Sequence, residues 1–357
     1  MMDNLDTAHR AVAADSTHQF LHYEPELLTE RDGFNAFVRR EHKAPELADC
    51  APLGTEITDT DPRMIYHGEM IPVMTPDVEQ GIKDARRTLR TNRFRPLGKR
   101  MSMIIDGCAG KTILLLQIGR AFQGILETER KPDSVWTPVV HINVPPRCDS
   151  NLDWSLPFAD FFGMDHTLNV EKRNYRSTDM TEPVVHHMKE SRTSLILIDG
   201  VDRIHDSELD TAFDYFDSLQ ARLRLSIIYC GRGATDIVNE ALRQRGRSGR
   251  PRTSEQFRSS LPVMEIKPIP FREGLEAGWR SVLKAYDDNL VLYKHSPGSL
   301  LALDTLLHER TGGYMDTLDQ LICQTAQQAI EDGTEAITEE GLNDMVVGRQ
   351  DCENDWA

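Results

Sequence analysis

Short apolar runs recur along the chain, with amphipathic stretches between most of them. The runs MSMIID (101–106), PVVHINV (138–144), SLILID (194–199), LSIIYCG (225–231) and VMEIK (263–267) have strand length and are almost continuously hydrophobic. Segments 112–126, 209–223 and 234–244 carry apolar residues at helical spacing. Strands covered on both faces read as unbroken apolar runs, and parallel neighbours need crossover connections, which these helices would supply. The pattern predicts an α/β domain built on a mostly parallel five-stranded sheet flanked by helices. Ahead of it, Pro76 stands near the start of a half-exposed helix over 75–91, with Val78, Ile82 and Leu89 at helical spacing. After Pro268 the alternation stops, and 273–286, 299–308, 315–331 and 338–345 read as helices of a small all-α domain. The expected division is a polar extension over 1–62, the α/β domain over 63–267, the helical domain over 268–347 and an acidic tail over 348–357.

Composition narrows the function classes. The 357 residues are 39% hydrophobic and 27% charged, enough for one large or two modest globular domains. Lys+Arg 41 against Asp+Glu 57 gives a net charge of −16, which excludes a surface uniformly attractive to nucleic acid or anionic lipid. Any contact with DNA must come from local patches. Two stand out: Lys83, Arg86, Arg87, Arg90, Arg93, Arg95, Lys99 and Arg100, and then Arg243, Arg245, Arg247, Arg250, Arg252 and Arg258. The first is either a solvated helix face or a phosphate-contacting one. No run approaches the roughly 18 apolar residues of a membrane helix, and MMDNLDTAHR lacks a secretory pattern, so the expectation is a cytoplasmic protein with no membrane partner. The six cysteines show no C-x-x-C spacing and read as reduced thiols. His186 and His187 are neighbours on a helix and do not face one ligand, which argues against a metal site there.

The segment Ile104-Ile105-Asp106-Gly107-Cys108-Ala109-Gly110-Lys111-Thr112, followed by ILLLQIGRAF, has the layout of a phosphate-binding loop. That chemistry needs small residues whose amides converge on phosphates, a lysine for the β- and γ-phosphates, a hydroxyl for Mg²⁺ and a helix N-terminus facing the anion. Gly107, Cys108, Ala109, Gly110, Lys111 and Thr112 are the candidates for holding the nucleotide. The spacing is two residues short of G-x-x-x-x-G-K-S/T, because Ile105 stands five before Gly110. Unless Asp106 and Gly107 leave the strand, wrapping of a phosphate is incomplete. Downstream, SLILID ends in Asp199, the position from which a Walker B carboxylate joins Thr112 in holding Mg²⁺. Gly200 follows where an acid usually orients the attacking water, with Asp202, His205 and Asp206 as the nearest substitutes.

These residues resemble the TniB/TnsC-type transposition ATPases of the AAA+ class over about 66–346. The likeness rests on HGEMIPVMTP, RFRPLGKRMSMIIDG with GKTILLLQIGRAF, VVHINVPPRCDSNLDWSLPFADFFG, SLILIDGVDRIH, LSIIYCGRG and LHERTGGYMDTLDQLI with AIEDGTEAIT. It implies a P-loop AAA+ fold with a helical lid, ATP and Mg²⁺ as cofactors, and catalytic roles for Lys111, Asp199 and Arg258, the last as an arginine finger acting in trans. It places a sensor near Cys230 to Arg232. It also implies a homo-oligomeric ring or filament on double-stranded DNA, bound without sequence preference, with a DDE-type transposase and a TniQ-like protein as partners. Three departures fall at the γ-phosphate: the short loop, Gly200, and Gln320 near where a basic lid residue is common. They point to weak or absent hydrolysis. The alternatives are a nucleotide-independent scaffold and an AAA-like signalling or defence switch.

Overall fold

A computed structural model of the protein describes residues 27–58, 60–70, 73–95, 100–129, 136–165, 167–170, 174–177, 179–247 and 261–348. The five apolar runs become β1 (Met103–Gly107), β2 (Val139–Asn143), β5 (Leu195–Asp199), β6 (Ser226–Cys230) and β7 (Val263–Ile266). They form one sheet in the order β2-β5-β6-β1-β7, every pair parallel. A separate antiparallel hairpin joins β3 (Thr167–Val170) to β4 (Asn174–Ser177). Periodicity did not announce it, since four-residue strands are too short for a period to register.

Helices α1 (Arg31–Arg39), α3 (Pro76–Phe94) and α4 (Lys111–Glu129) pack together on one side of the sheet. On the other lie α5 (Asn151–Phe161), α6 (Thr181–Glu190), α7 (Leu209–Leu223) and α8 (Ala234–Arg247). Local signals start several of them. Thr75 caps α3 by accepting from the Val78 N–H, with Pro76 in the first turn, and Ser150 and Asp153 close a capping box on α5. The core between the layers is aromatic-rich, with Trp154 edge-on to Phe216 at 4.7 Å and both fully buried.

The C-terminal helices are α9 (Glu276–Asp287), α10 (Ser299–Ala302), α11 (Asp304–Thr311), α12 (Met315–Glu331) and α13 (Glu339–Asp344). The single helix expected over 299–308 is two, divided at Leu303. The break places the Asp304 carbonyl against the Trp279 indole N–H at 2.9 Å and its carboxylate against Arg280 at 2.8 Å. This region has its own hydrophobic core around Trp279, Tyr286, Leu318 and Ile322.

Residues read as a polar extension help build the sheet core, and residues 63–70, expected in the α/β domain, join the C-terminal core instead. Phe34 and Val38 of α1 are buried with the sheet, and the Leu28 carbonyl meets the His141 ring at 3.0 Å. Segment 47–70 turns instead to the C-terminal helices. Its helix α2 (Pro62–Gly68) packs on α12, and Met64 and Met70 enter that second core. The joint is ionic. Arg63, wholly buried, donates to Glu335 at 2.8 and 2.9 Å and to Asp61 at 3.1 and 3.2 Å. Among the described residues, no helix is long and apolar enough to cross a membrane.

Candidate functional site

Because all five strands are parallel, their C-terminal ends share one edge of the sheet, the edge where open α/β sheets place ligands. Gly107, Asn143, Asp199 and Cys230 end their strands there. Asp199 and Gly107 are separated by β6, about 10 Å at ordinary strand spacing. Helix α4 starts after a three-residue turn that follows β1, packs over β5 and β6, and carries Thr112 across the gap. The Thr112 hydroxyl donates to the Asp199 carboxylate at 2.7 Å. Two side chains 87 residues apart thus make one oxygen pair at the mouth of the sheet.

The first helical bond of α4 runs from the Leu114 N–H to the Gly110 carbonyl at 3.0 Å, so the Lys111, Thr112 and Ile113 amides have no intrahelical acceptor. They carry the positive end of the helix dipole beside the lysine. The buried Cys230 thiol lies next to Asp199, and burial first, then the carboxylate's charge, raises its pKa well above the usual value. It is a packed neighbour of the oxygen pair and stays protonated.

Asp106 and Gly107 do not leave the strand to lengthen the loop. They pair with Glu265 and Ile266 of β7, and the turn is confined to Cys108, Ala109 and Gly110. Gly107 has φ +128°, and a Cβ there would stand 2.0 Å from the Ile266 carbonyl oxygen, so glycine serves the close approach to β7. Asp106 has a role that reasoning on the loop missed. Its carboxylate accepts from the amides of Gly107 at 2.7 Å, Gly233 at 2.8 Å and Thr235 at 2.9 Å. Burial works to raise its pKa, but a hydrogen bond from the Thr235 side chain and these amides outweigh burial and hold it below the ordinary range. It ties the turn after β1 to the turn after β6. The signal was present, since both MIID and LILID are apolar strands that end in aspartate.

Gly200 takes φ +83° and ψ 35°, left-handed backbone that opens the 3₁₀ turn Val201–Arg203. Asp202, the first substitute acid, accepts from the Arg232 N–H at 3.1 Å, which ties it to the expected sensor turn. His205 lies against Ser207, with Nδ1 and the hydroxyl 3.4 Å apart, and Asp206 is exposed. Gln320 is exposed on α12. Arg258, Arg250, Arg252 and Lys99 lie outside the described residues, as does the tail from 349. Of the first basic cluster, Lys83, Arg87 and Arg93 make ion pairs with Glu79, Asp84 and Glu129.

No family model matches the chain, and no curated protein matches it in sequence. Among solved structures it is similar to the ORC2 protein of Aeropyrum pernix, determined as ADPNP–ADP complexes, with a TM-score of 0.50 and 13% identity. The match covers 77% of this chain and 68% of that one. At this identity the likeness concerns the fold alone: a parallel five-stranded sheet flanked by helices, followed by a helical region.

Proposed function

We propose that the chain is an AAA+-type ATP-binding regulator of the TniB/TnsC kind. Lys111 and the amides from Cys108 to Thr112 would hold the triphosphate, and Thr112 with Asp199 would hold its Mg²⁺. The observation that carries this reading is the 2.7 Å contact between the Thr112 hydroxyl and the Asp199 carboxylate, set before an open helix N-terminus. The donor set fits the group. Mg²⁺ takes oxygen ligands and keeps most of its shell from phosphate and water, so two protein oxygens suffice. Among the described residues no cluster of three or more His, Cys, Asp or Glu could hold a metal by itself. The ORC2 protein, solved with ADPNP and ADP, supports a nucleotide as the ligand class on this fold. When bound, the ion draws charge from the β- and γ-phosphate oxygens.

The chain's own residues favour binding over turnover. Lysine and amides orient the phosphates, while the place after Asp199 holds a left-handed glycine and Asp202 is engaged by a backbone amide. By resemblance, Arg258 acts in trans in an oligomer on double-stranded DNA, which would bring a DDE-type transposase and a TniQ-like protein to the target. A nucleotide-independent scaffold is the second reading, favoured by the three-residue turn that stays short because Asp106 and Gly107 remain paired to β7.

Titration of a fluorescent ATP analogue separates the two readings. The expected result is Mg²⁺-dependent binding that weakens at least about tenfold, or 1.4 kcal/mol, in Lys111→Ala and in Asp199→Asn. Absence of binding by the parent chain, with binding gained when two small residues are inserted before Gly110, would instead establish the scaffold. Phosphate release with DNA and Mg²⁺ should be slow; fast turnover abolished by Lys111→Ala would overturn the weak-hydrolysis part.

A further inference from the structure

On the sheet's α3–α4 side, away from the nucleotide edge, the two helices leave a groove of about 270 Å³. Its floor is apolar, formed by Ile82, Leu89, Ile118, Phe122, Ile125 and Leu126. Phe94 lines it too and is 73% exposed, a large aromatic side chain left in water. One wall is basic. Arg86, Arg90 and Arg93 follow one another at helical spacing along α3, and Arg86 and Arg90 make no ion pair among the described residues. Arg93 is held by Glu129, the acid that lines the same groove.

A second cleft of about 510 Å³ adjoins the groove and shares Leu89, Arg93, Phe122 and Leu126 with it. That cleft is lined by Arg100, Lys189, Arg192, Arg222 and Arg224, drawn from three separate segments at the N-terminal edge of the sheet. Arg222 is paired with Glu182 at 2.6 Å, and Arg100 is turned to the Arg224 and Arg95 carbonyls. Arg192 and Arg224 sit at φ +58° and +53°, immediately before the segments that lead into β5 and β6. On a chain with net charge −16, this concentrates positive charge beside an apolar trough.

Such a surface matches an acidic peptide that carries a bulky apolar anchor. Nucleic acid would use the arginines and leave the floor wet. The chain contains a segment of that chemistry. Residues 349–357, outside the described part, read RQDCENDWA. In an extended peptide Asp351, Glu353 and Asp355 fall on one face and Trp356 on the other. Alternate residues of an extended chain stand about 6.6 Å apart. Along α3 the step from Arg86 to Arg90 is about 6 Å and that from Arg90 to Arg93 about 4.5 Å. Two of the carboxylates can therefore meet Arg86 and Arg90 while the indole enters the trough, the kind of aromatic anchor that dominates interface energy.

We infer that the groove between α3 and α4 docks the acidic segment 349–357 of a second copy of the chain. The contact joins two different surfaces, so it is head-to-tail and propagates into a ring or a filament. It needs no nucleotide, and its test is independent of the ATP reading.

The receptor is the full chain with its own segment disabled by Asp351→Asn, Glu353→Gln, Asp355→Asn and Trp356→Ala. The probe is a fluorescein-labelled peptide of residues 349–357 bearing Cys352→Ser, read by anisotropy without nucleotide. Saturable binding is expected, weakening with added salt, and falling at least about tenfold when Arg86→Glu and Arg90→Glu are added to the receptor or Trp356→Ala to the peptide. Both arginines are exposed, and an unchanged thermal melt will show that the charge-reversed receptor is folded. In sedimentation, the parent chain should associate with rising concentration, and the disabled and charge-reversed chains should not. Absence of peptide binding overturns the inference, as does binding indifferent to charge reversal. A parent chain monomeric at every concentration overturns it too, since the segment would then dock on its own copy or not at all. A DNA duplex that binds through Arg86 and Arg90 while the peptide fails does the same.

Discussion

Two polar clusters in this protein are built from the same materials and finished differently. At the joint between segment 47–70 and the C-terminal helices, Asp61, Arg63 and Glu335 are buried and saturated: Asp61 also accepts from the Ala51 and Arg63 amides, and Glu335 from the Tyr293 amide. At the sheet edge, Thr112 and Asp199 make one bond to each other beside helix amides without intrahelical acceptors. Burying charge is costly unless every lone pair is answered, so a structural cluster closes on itself. A ligand site keeps donors and acceptors open to solvent, where water satisfies them until an anion arrives. That contrast, more than the presence of charge, separates a closed structural joint from an edge left open to a ligand.

The largest effect should come from opening the closed cluster. Arg63→Ala leaves two buried carboxylates without a counter-charge and is expected to cost about 3–5 kcal/mol, read as a shifted midpoint in urea denaturation. Next in size is acid. Burial lowers the neighbouring His67 to about 4, with Nδ1 facing the Arg63 carbonyl and Nε2 accepting from the Val291 amide. The unfolded chain takes this proton near 6.5, so stability is lost as pH falls from about 6.5 to about 4, by up to about 3 kcal/mol. Asp319 runs the other way. Burial raises it to about 6, so in the folded state it takes its proton more readily than in the unfolded state, and stability is gained as pH falls from about 6 to about 4, again by about 3 kcal/mol. The two offset each other in the parent. Melting curves across pH 4–8 should therefore show a steeper acid loss in Asp319→Asn, together with higher stability above pH 7.

Smaller changes sharpen the open cluster. Gly200→Ala forces a side chain into left-handed backbone and should cost about 1–2 kcal/mol in chemical denaturation. Thr112→Ala removes one exposed hydrogen bond and is expected to change stability by no more than about 1 kcal/mol while weakening Mg²⁺-dependent ATP-analogue binding at least about tenfold. If Thr112→Ala instead destabilised as strongly as Arg63→Ala, the sheet-edge pair would belong with the structural clusters.

Much of this was legible along the chain. Five strands lie where unbroken apolar runs stand, and α7 and α12 span the residues that helical spacing marked, because burial on both faces leaves a plain trace in hydrophobicity. The short β3–β4 hairpin left no such trace, and neither did the break at Leu303, which answers to Trp279 and Arg280 on another helix. Phe34 hinted at burial, but nothing local showed that 31–39 and 62–68 belong to different cores.

The sequence alone determined the chemical inventory: a lysine-threonine pair at a helix start, an aspartate closing a hydrophobic strand, a loop two residues short, and arginines spaced along α3. Only the tertiary structure decided which of these meet. Strand order sets Asp199 two strands from β1 and lets α4 span that gap, while pairing with β7 keeps Asp106 and Gly107 out of the loop. Residue types follow from local chemistry, whereas adjacency across 87 residues follows from the closing of a sheet, which no local pattern encodes.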